Sequence, residues 1–207
     1  MSHGRSILIL FAHPALQKSR VNLPLLRAIA GLDGVTFHDL YETYPDFLID
    51  VSREQDLLIA HDIIVFQHPF YWYSCPALLK EWIDLVLEYG FAFGSHGLAL
   101  KGKCLMQAIT MGGGNESYGP NGMNRYTVRE LLTPFEQTAR LCHMQYLAPF
   151  VVQGTHQHCD AHDVQPCAED FRELLVGLRD ETISTEQLVS PAFANEALSQ
   201  RRLPQAP

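Results

Sequence analysis

The sequence predicts an α/β fold, a doubly wound parallel sheet of five strands with helices on both faces. Three observations carry this. Short runs that are apolar almost throughout, such as SILILFA at residues 6–12, mark strands covered on both faces, the condition of a parallel sheet. Longer segments with apolar residues at helical spacing follow these runs. Five such strand and helix units in succession imply right-handed crossovers within one open sheet.

Each element has its own signal. After the first strand, Ser19 is placed to cap a helix whose apolar positions Leu23, Leu26, Ile29 and Ala30 recur at helical spacing, and Gly31 in GLDG ends it. VTFHDL (35–40) is the second strand. In SREQ, Ser52 and Gln55 read as a capping box opening a short helix that runs to Ala60. DIIVF is the third strand, and Pro76 suits the first turn of a long helix, PALLKEWIDLVLEYG, with Leu79, Ile83, Val86 and Leu87 on its buried face. A Gly-rich connection leads to the fourth strand, KCLMQAIT. Thr127 and Glu130 form a second capping box, after which Pro134 is expected to kink the helix or divide it. QYLAPFVVQ is the fifth strand, and the last helix spans about 168–179.

Composition narrows the function classes. The 207 residues are 47% hydrophobic, enough for one well-buried domain and short for two. A net charge of −8 with scattered Lys and Arg disfavours a nucleic-acid partner. The five cysteines (Cys75, Cys104, Cys142, Cys159 and Cys167) are odd in number and lack framework spacing, and the chain start carries no leader pattern. Reduced thiols in a cytoplasmic protein are therefore expected. No stretch approaches the roughly 20 apolar residues of a spanning helix, so a protein partner would have to bring the chain to a membrane.

Ligands of doubly wound sheets bind beyond the carboxyl ends of the strands. Three loops at those ends carry useful chemistry: AHPALQKSRVN after strand one, QHPFYWYS after strand three and TMGGGNESY after strand four. The GxGxxG pattern of a dinucleotide site is absent from the first loop. Ser19, Arg20, Val21 and Asn22 instead offer a hydroxyl, a guanidinium and helix-start N–H groups to a terminal phosphate. Phe70, Tyr71, Trp72 and Tyr73 are consecutive and cannot all enter one core, so some must line a cleft where a planar heterocycle can stack, gaining about 1 kcal/mol beyond area burial. At Thr110, Met111, Gly112 and Gly113 the missing side chains let backbone amides approach a polar ring edge. Strands one and three both end in His-Pro. Proline offers no N–H and keeps its predecessor extended, which drives the chain out of the sheet at the ligand. His13 is expected to face the ligand, and His68 to bond local backbone.

SILILFAHP, YPDFLID, FQHPFYWYSCPALLKEWIDLVLEYGFAFG and TMGGG together resemble the flavodoxin-like NAD(P)H:quinone reductases, and most nearly the ancillary flavoproteins of glutathione-regulated potassium-efflux systems. The resemblance covers roughly residues 5–180. It implies a flavodoxin-like fold holding a flavin, FMN or FAD, with NAD(P)H as electron donor and a quinone or related electrophile as acceptor in two-electron, ping-pong transfer. It assigns His13, Ser19, Arg20, Val21 and Asn22 to the phosphate end, Phe70 to Tyr73 to the isoalloxazine, and Thr110 to Gly113 to its polar edge. Tyr118 matches a catalytic tyrosine. The histidine that accompanies that tyrosine in animal relatives falls near Asn124 or Arg125, so that relay is altered, and Arg125 is expected to pair with anionic charge on the reduced flavin or on nicotinamide phosphate. A homodimer is implied, as is a second role: a regulatory subunit docked on a potassium-efflux antiporter, which would hold the cytoplasmic protein at the inner face of the membrane.

Two regions stand apart from this resemblance. The flavin-binding domain is expected over residues 1–185, and 186–207, rich in Ala, Gln, Ser and Pro, reads as a loosely attached tail. His156, His158, Cys159, His162 and Cys167 gather in one loop, but their spacing fits no standard zinc motif, so no metal is assigned.

Overall fold

The computed structural model describes residues 4–156 and 161–202. Its sheet is parallel throughout, built from β1 (Ile7–Phe11), β2 (Val35–Asp39), β3 (Ile63–Pro69), β4 (Cys104–Thr110), β5 (Gln145–Tyr146) and β6 (Phe150–Val152). The order is β2-β1-β3-β4-β5, and β6 also pairs with β4. Two segments thus share the fifth position. The expected single strand is interrupted because Pro149 has no N–H to donate, while the N–H of Ala148 leaves the sheet for Leu188 O at 2.6 Å.

The apolar runs are continuous because both faces are covered. Along β1, Ile7 and Ile9 enter one core while Leu8 and Leu10 enter the other, and β3 and β4 alternate in the same way. Each fully buried Leu or Ile contributes about 1.5–3 kcal/mol of transfer free energy. Helices α1 (Asn22–Ile29) and α7 (Ala161–Arg179) cover the first core. The second lies under α2 (Leu40–Thr43), α3 (Val51–Ala60), α4 (Ala77–Val86), α5 (Val128–Leu131) and α6 (Thr133–Leu141).

Several helix ends differ from the sequence reading, each for a local reason. The cap of α3 is Asp50, whose Oδ1 accepts from Arg53 N at 3.1 Å, in place of a Ser52–Gln55 box. The amide of Gln55 instead reaches across to Val86 O and Glu88 Oε2. Pro76 stands at the N-cap of α4, one position earlier than expected. On α1, Leu25 is buried where Leu23 was expected, and Ala30 is exposed. The Thr127–Glu130 capping box is present in both directions, and the helix divides at Leu132, just before Pro134.

The largest departure is the C-terminal segment. A loose tail from 186 is not what the structure shows: helix α8 (Ala194–Arg201) packs on α7 and β6, and Leu188, Ala194 and Leu198 are fully buried. Asn195 bonds both exposed backbone groups of edge strand β6, its Oδ1 accepting from Val151 N at 2.9 Å and its Nδ2 donating to Val151 O at 3.2 Å. One side chain thereby stands in for a missing neighbouring strand. Arg202 adds surface ion pairs with Asp170 and Glu173. The apolar residues that dock the segment are single and widely spaced, which is why composition alone read it as loose.

Candidate functional site

Beyond the carboxyl ends of β1, β3 and β4 lies a cavity of about 650 Å³. The first loop forms one end. Ser19 Oγ accepts from both the backbone N–H and the side-chain Nδ2 of Asn22, at 3.0 and 3.1 Å. Both lone pairs are engaged, so the hydroxyl hydrogen is left for an outside acceptor. Asn22 is buried, and its Nδ2 also donates to Thr110 Oγ1 at 3.1 Å, tying the first loop to the fourth strand. Its Oδ1 is buried without a hydrogen-bond partner among the described residues, which leaves an acceptor suited to a ligand hydroxyl. Lys18 and Arg20 stand in the same wall, and no carboxylate does.

His13 also lines this end. Its Nδ1 accepts the Ala15 N–H at 3.1 Å, which assigns the proton of the neutral ring to Nε2. Burial pulls its pKa below the ordinary histidine value, against the backbone contact that would raise it. The ring therefore stays neutral at pH 7.

The aromatic loop forms a further part of the wall, with the Tyr71 ring edge-on to His13 at 6.3 Å between centroids. Phe70, Tyr71 and Trp72 line the cavity, and Phe70, Trp72 and Tyr73 line a smaller hollow beside it. Trp72 and Tyr73 both adopt left-handed backbone (φ 51° and 61°), and Trp72 is 92% exposed. Such conformations cost bulky residues about 1–3 kcal/mol each and cluster at binding sites. The division expected of the four rings is present: Phe70 packs partly against the core, and the next three face outward. Tyr73 OH donates to Asn124 Oδ1 at 3.0 Å, linking the aromatic loop to the segment after the glycines.

The loop is held from below by a buried polar chain. Tyr146 OH donates to Gln107 Oε1 at 2.6 Å, and Gln107 Nε2 faces His68 Nε2 at 3.2 Å. His68 Nδ1 lies 3.0 Å from Pro69 O. A carbonyl only accepts, so Nδ1 carries the proton and Nε2 receives one from Gln107. Every group in the chain is satisfied in one direction. Phe70 N then donates to Thr110 O at 2.8 Å, so the loop leaves β3 in a fixed direction. His68 thus bonds local backbone, as expected.

Gly112 lines the cavity and, with Gly113, the hollow beside it. A Cβ on Gly112 would come within 2.3 Å of His156 Nε2, so any side chain there would displace the His156 ring from its place beside the glycine loop. That loop is bonded to the glycine loop through Gly154 N to Gly113 O and Thr155 N to Met111 O, both 3.0 Å. Met111 takes part through its backbone alone, because its side chain is in the core. Tyr118 and Asn124 line the smaller hollow. Burial pushes the Tyr118 phenol up, which keeps it a proton donor. Arg125 is exposed, in left-handed conformation (φ 61°), and outside the walls of both cavities; the structure brings Asn124 to the site in its place.

Five wall residues lie outside the sequence reading: Ala15, Lys18, Pro69, Thr155 and His156. Lys18 had a signal in its position beside Ser19 and Arg20. Thr155 and His156 follow the fifth strand and come under the same strand-end rule, but the surrounding His and Cys residues drew the reading toward metal. Of that group His158 and Cys159 lie outside the described residues, and no cluster able to hold a metal occurs among those described. No described helix is long and apolar enough to cross a membrane.

Comparison with known proteins identifies relatives of the whole fold. A family model described as a flavodoxin-like fold matches residues 5–175. The glutathione-regulated potassium-efflux system ancillary protein KefG of Serratia proteamaculans is 53% identical over 152 residues, covering 73% of this chain and 83% of the relative. Among solved structures, general stress protein 14 of Treponema denticola, in complex with FMN, superposes with TM-score 0.79 at 39% identity, covering 84% of this chain and 99% of that one. An NADPH-quinone reductase from P. pentosaceus does so with TM-score 0.73 at 33% identity, covering 81% and 96%. The chain therefore belongs to the flavodoxin-like fold family and, within it, to the family of the ancillary proteins of glutathione-regulated potassium-efflux systems.

Proposed function

We propose that the strand-end cavity binds FMN and that the protein is an NAD(P)H-dependent oxidoreductase acting on quinones or related electrophiles. One observation carries the reading. In a chain of net charge −8, the cavity wall holds Lys18 and Arg20, no carboxylate, and the aromatic side chains Phe70, Tyr71 and Trp72. That pattern suits a molecule with an anionic terminus and a flat ring. The FMN complex of the Treponema denticola protein and the P. pentosaceus quinone reductase support the same ligand and reaction class.

The residues present fit the group. Ser19, Arg20 and Lys18 would hold its phosphate, and the orphaned Oδ1 of Asn22 would accept from a ribityl hydroxyl. Phe70, Tyr71, Trp72 and Tyr73 would flank the ring, with Thr110, Gly112 and Gly113 at its polar edge. When bound, the flavin supplies two-electron hydride chemistry between nicotinamide and acceptor. The chain's part would be orientation and charge: backbone N–H groups of the glycine loop would stabilise negative charge on the ring, and the Tyr118 phenol would be a proton donor to the acceptor.

Titrating the purified chain with FMN should quench flavin fluorescence at one equivalent, and Arg20→Ala should weaken uptake by about tenfold through loss of a charge-assisted hydrogen bond. If neither FMN nor FAD is taken up, the reading fails. A second test addresses Tyr118. A Cβ at Gly122 would lie 2.5 Å from the carbonyl carbon of Ser117 and 2.8 Å from Tyr118 N, so Gly122→Ala must move that backbone. Quinone reduction should fall by about 10- to 100-fold, with flavin affinity little changed.

A second reading, a regulatory subunit of a potassium-efflux antiporter, is favoured by the 53% identity to the KefG protein and by Asn124, which stands near the relay-histidine position. Potassium efflux that rises when an NAD(P)H-inactive variant is expressed beside the antiporter would support it. These roles are compatible in one chain. Both allow a homodimer, and sedimentation would report it.

A further inference from the structure

Tyr118 also lines a second cavity, of about 900 Å³. It is an open cleft in which the apolar side chains of Val128, Val151, Ala192 and Phe193 stand beside polar ones such as Asn115 and Thr127. Ala192 and Phe193 come from the C-terminal segment, beyond the 5–175 span of the family match. They are held in place by the paired bonds of Asn195 to Val151.

Arg129 lines this cavity and has an unspent donor. Its guanidinium lies over the Tyr146 ring at 5.3 Å, and its Nη2 is 3.6 Å from Glu136 Oε2. Glu136 is engaged more closely by Arg140, at 2.6 Å, and Arg129 Nη1 has no hydrogen-bond partner among the described residues. The Arg129 charge is thus weakly neutralised at the edge of this cleft. Glu196, exposed at the mouth, opposes ligands of higher negative charge.

We propose that this cavity is a second ligand site, separate from the strand-end cavity, for a small aromatic monocarboxylate whose ring packs against Phe193 and Val151 and whose carboxylate pairs with Arg129. The site does not depend on the flavin reading, since Tyr118 is its one shared wall with the hollow beside the strand-end cavity.

Isothermal titration of the full chain with sodium 1-naphthoate tests it, with and without saturating FMN. One equivalent should bind in both conditions. Arg129→Gln should weaken binding by about tenfold. Ala192→Trp, a substitution at an exposed position that fills the mouth, should abolish binding with an unchanged circular dichroism spectrum. Absence of binding at millimolar naphthoate overturns the proposal. So does displacement of naphthoate by FMN, or unaltered binding in both variants. A chain that binds naphthoate but takes up no flavin would sustain this site while removing the flavin one.

Discussion

Replacing Glu54 by alanine should destabilise the protein by about 3–5 kcal/mol, read as a lower urea midpoint with unchanged m-value, because it strips the acceptor from three buried donors at once. Glu54 is fully buried on α3. Its Oε1 accepts from Tyr44 OH at 2.6 Å and His38 Nε2 at 2.9 Å, and its Oε2 from Trp82 Nε1 at 2.7 Å. Burial alone would raise its pKa, but the bonds from His38, Tyr44 and Trp82 outweigh it and hold the carboxyl below its ordinary 4.5. A depressed carboxyl pKa contributes stability that is complete above the unfolded value and lost as pH falls through the folded one. The wild-type protein should therefore lose this share below about pH 4.5, and Glu54→Ala should be flatter there. Trp82 lies on α4, the helix entered directly from the aromatic loop. The same carboxylate thus connects the second strand, through His38, to the support of the site. Glu54→Gln, which keeps the shape but offers a single acceptor oxygen, should fall between the two.

The sheet was legible because burial on two faces leaves an unmistakable imprint: Ile7 to Phe11 and Ile63 to Phe66 contain no polar residue to mark an outer face. The strand-end rule then located the site without any side-chain information, and Ser19, Asn22, Phe70 and Gly112 meet in one cavity as expected. What stayed hidden depends on partners distant in sequence. Glu54 looks like an ordinary surface residue of an amphipathic helix until His38, Tyr44 and Trp82 converge on it. Asn195 reads as tail composition until an unpaired strand edge is seen beside it. Arg125 stands in left-handed backbone outside the walls of both cavities while Asn124 lines the smaller hollow, a difference between neighbours that no local pattern announces. Local patterns report burial and turns; they carry no information on which polar group finds which.

The chain from Tyr146 through Gln107 to His68 makes the pH response of the site predictable. Complete burial drives the His68 pKa down from 6.5 to about 4, against the bond to Pro69 O that favours the charged ring. The unfolded chain then binds one more proton than the folded one between these values, so stability rises with pH across the window and is lost as pH falls from 6.5 toward 4. The shift corresponds to a loss on the order of 3 kcal/mol. A His68→Gln protein should lose most of that slope in urea titrations between pH 4 and 7, while the smaller contribution of His13, whose pKa is also lowered, remains. Gln107→Leu acts differently: it leaves both the Tyr146 hydroxyl and His68 Nε2 buried and unpaired, at a cost of about 2–4 kcal/mol. Because these groups act in series, Gln107→Leu combined with Tyr146→Phe should cost less than the sum of the single changes, with a coupling of about 1 kcal/mol. Strict additivity would mean that the chain does not act as a unit. Without the Gln107 bond the His68 ring is held on one side only, by Pro69 O, and so supports less firmly the residue from which Phe70 leaves the sheet. Gln107→Leu should then alter the visible circular dichroism of bound flavin, a signature that a purely global loss of stability does not produce in protein that remains folded.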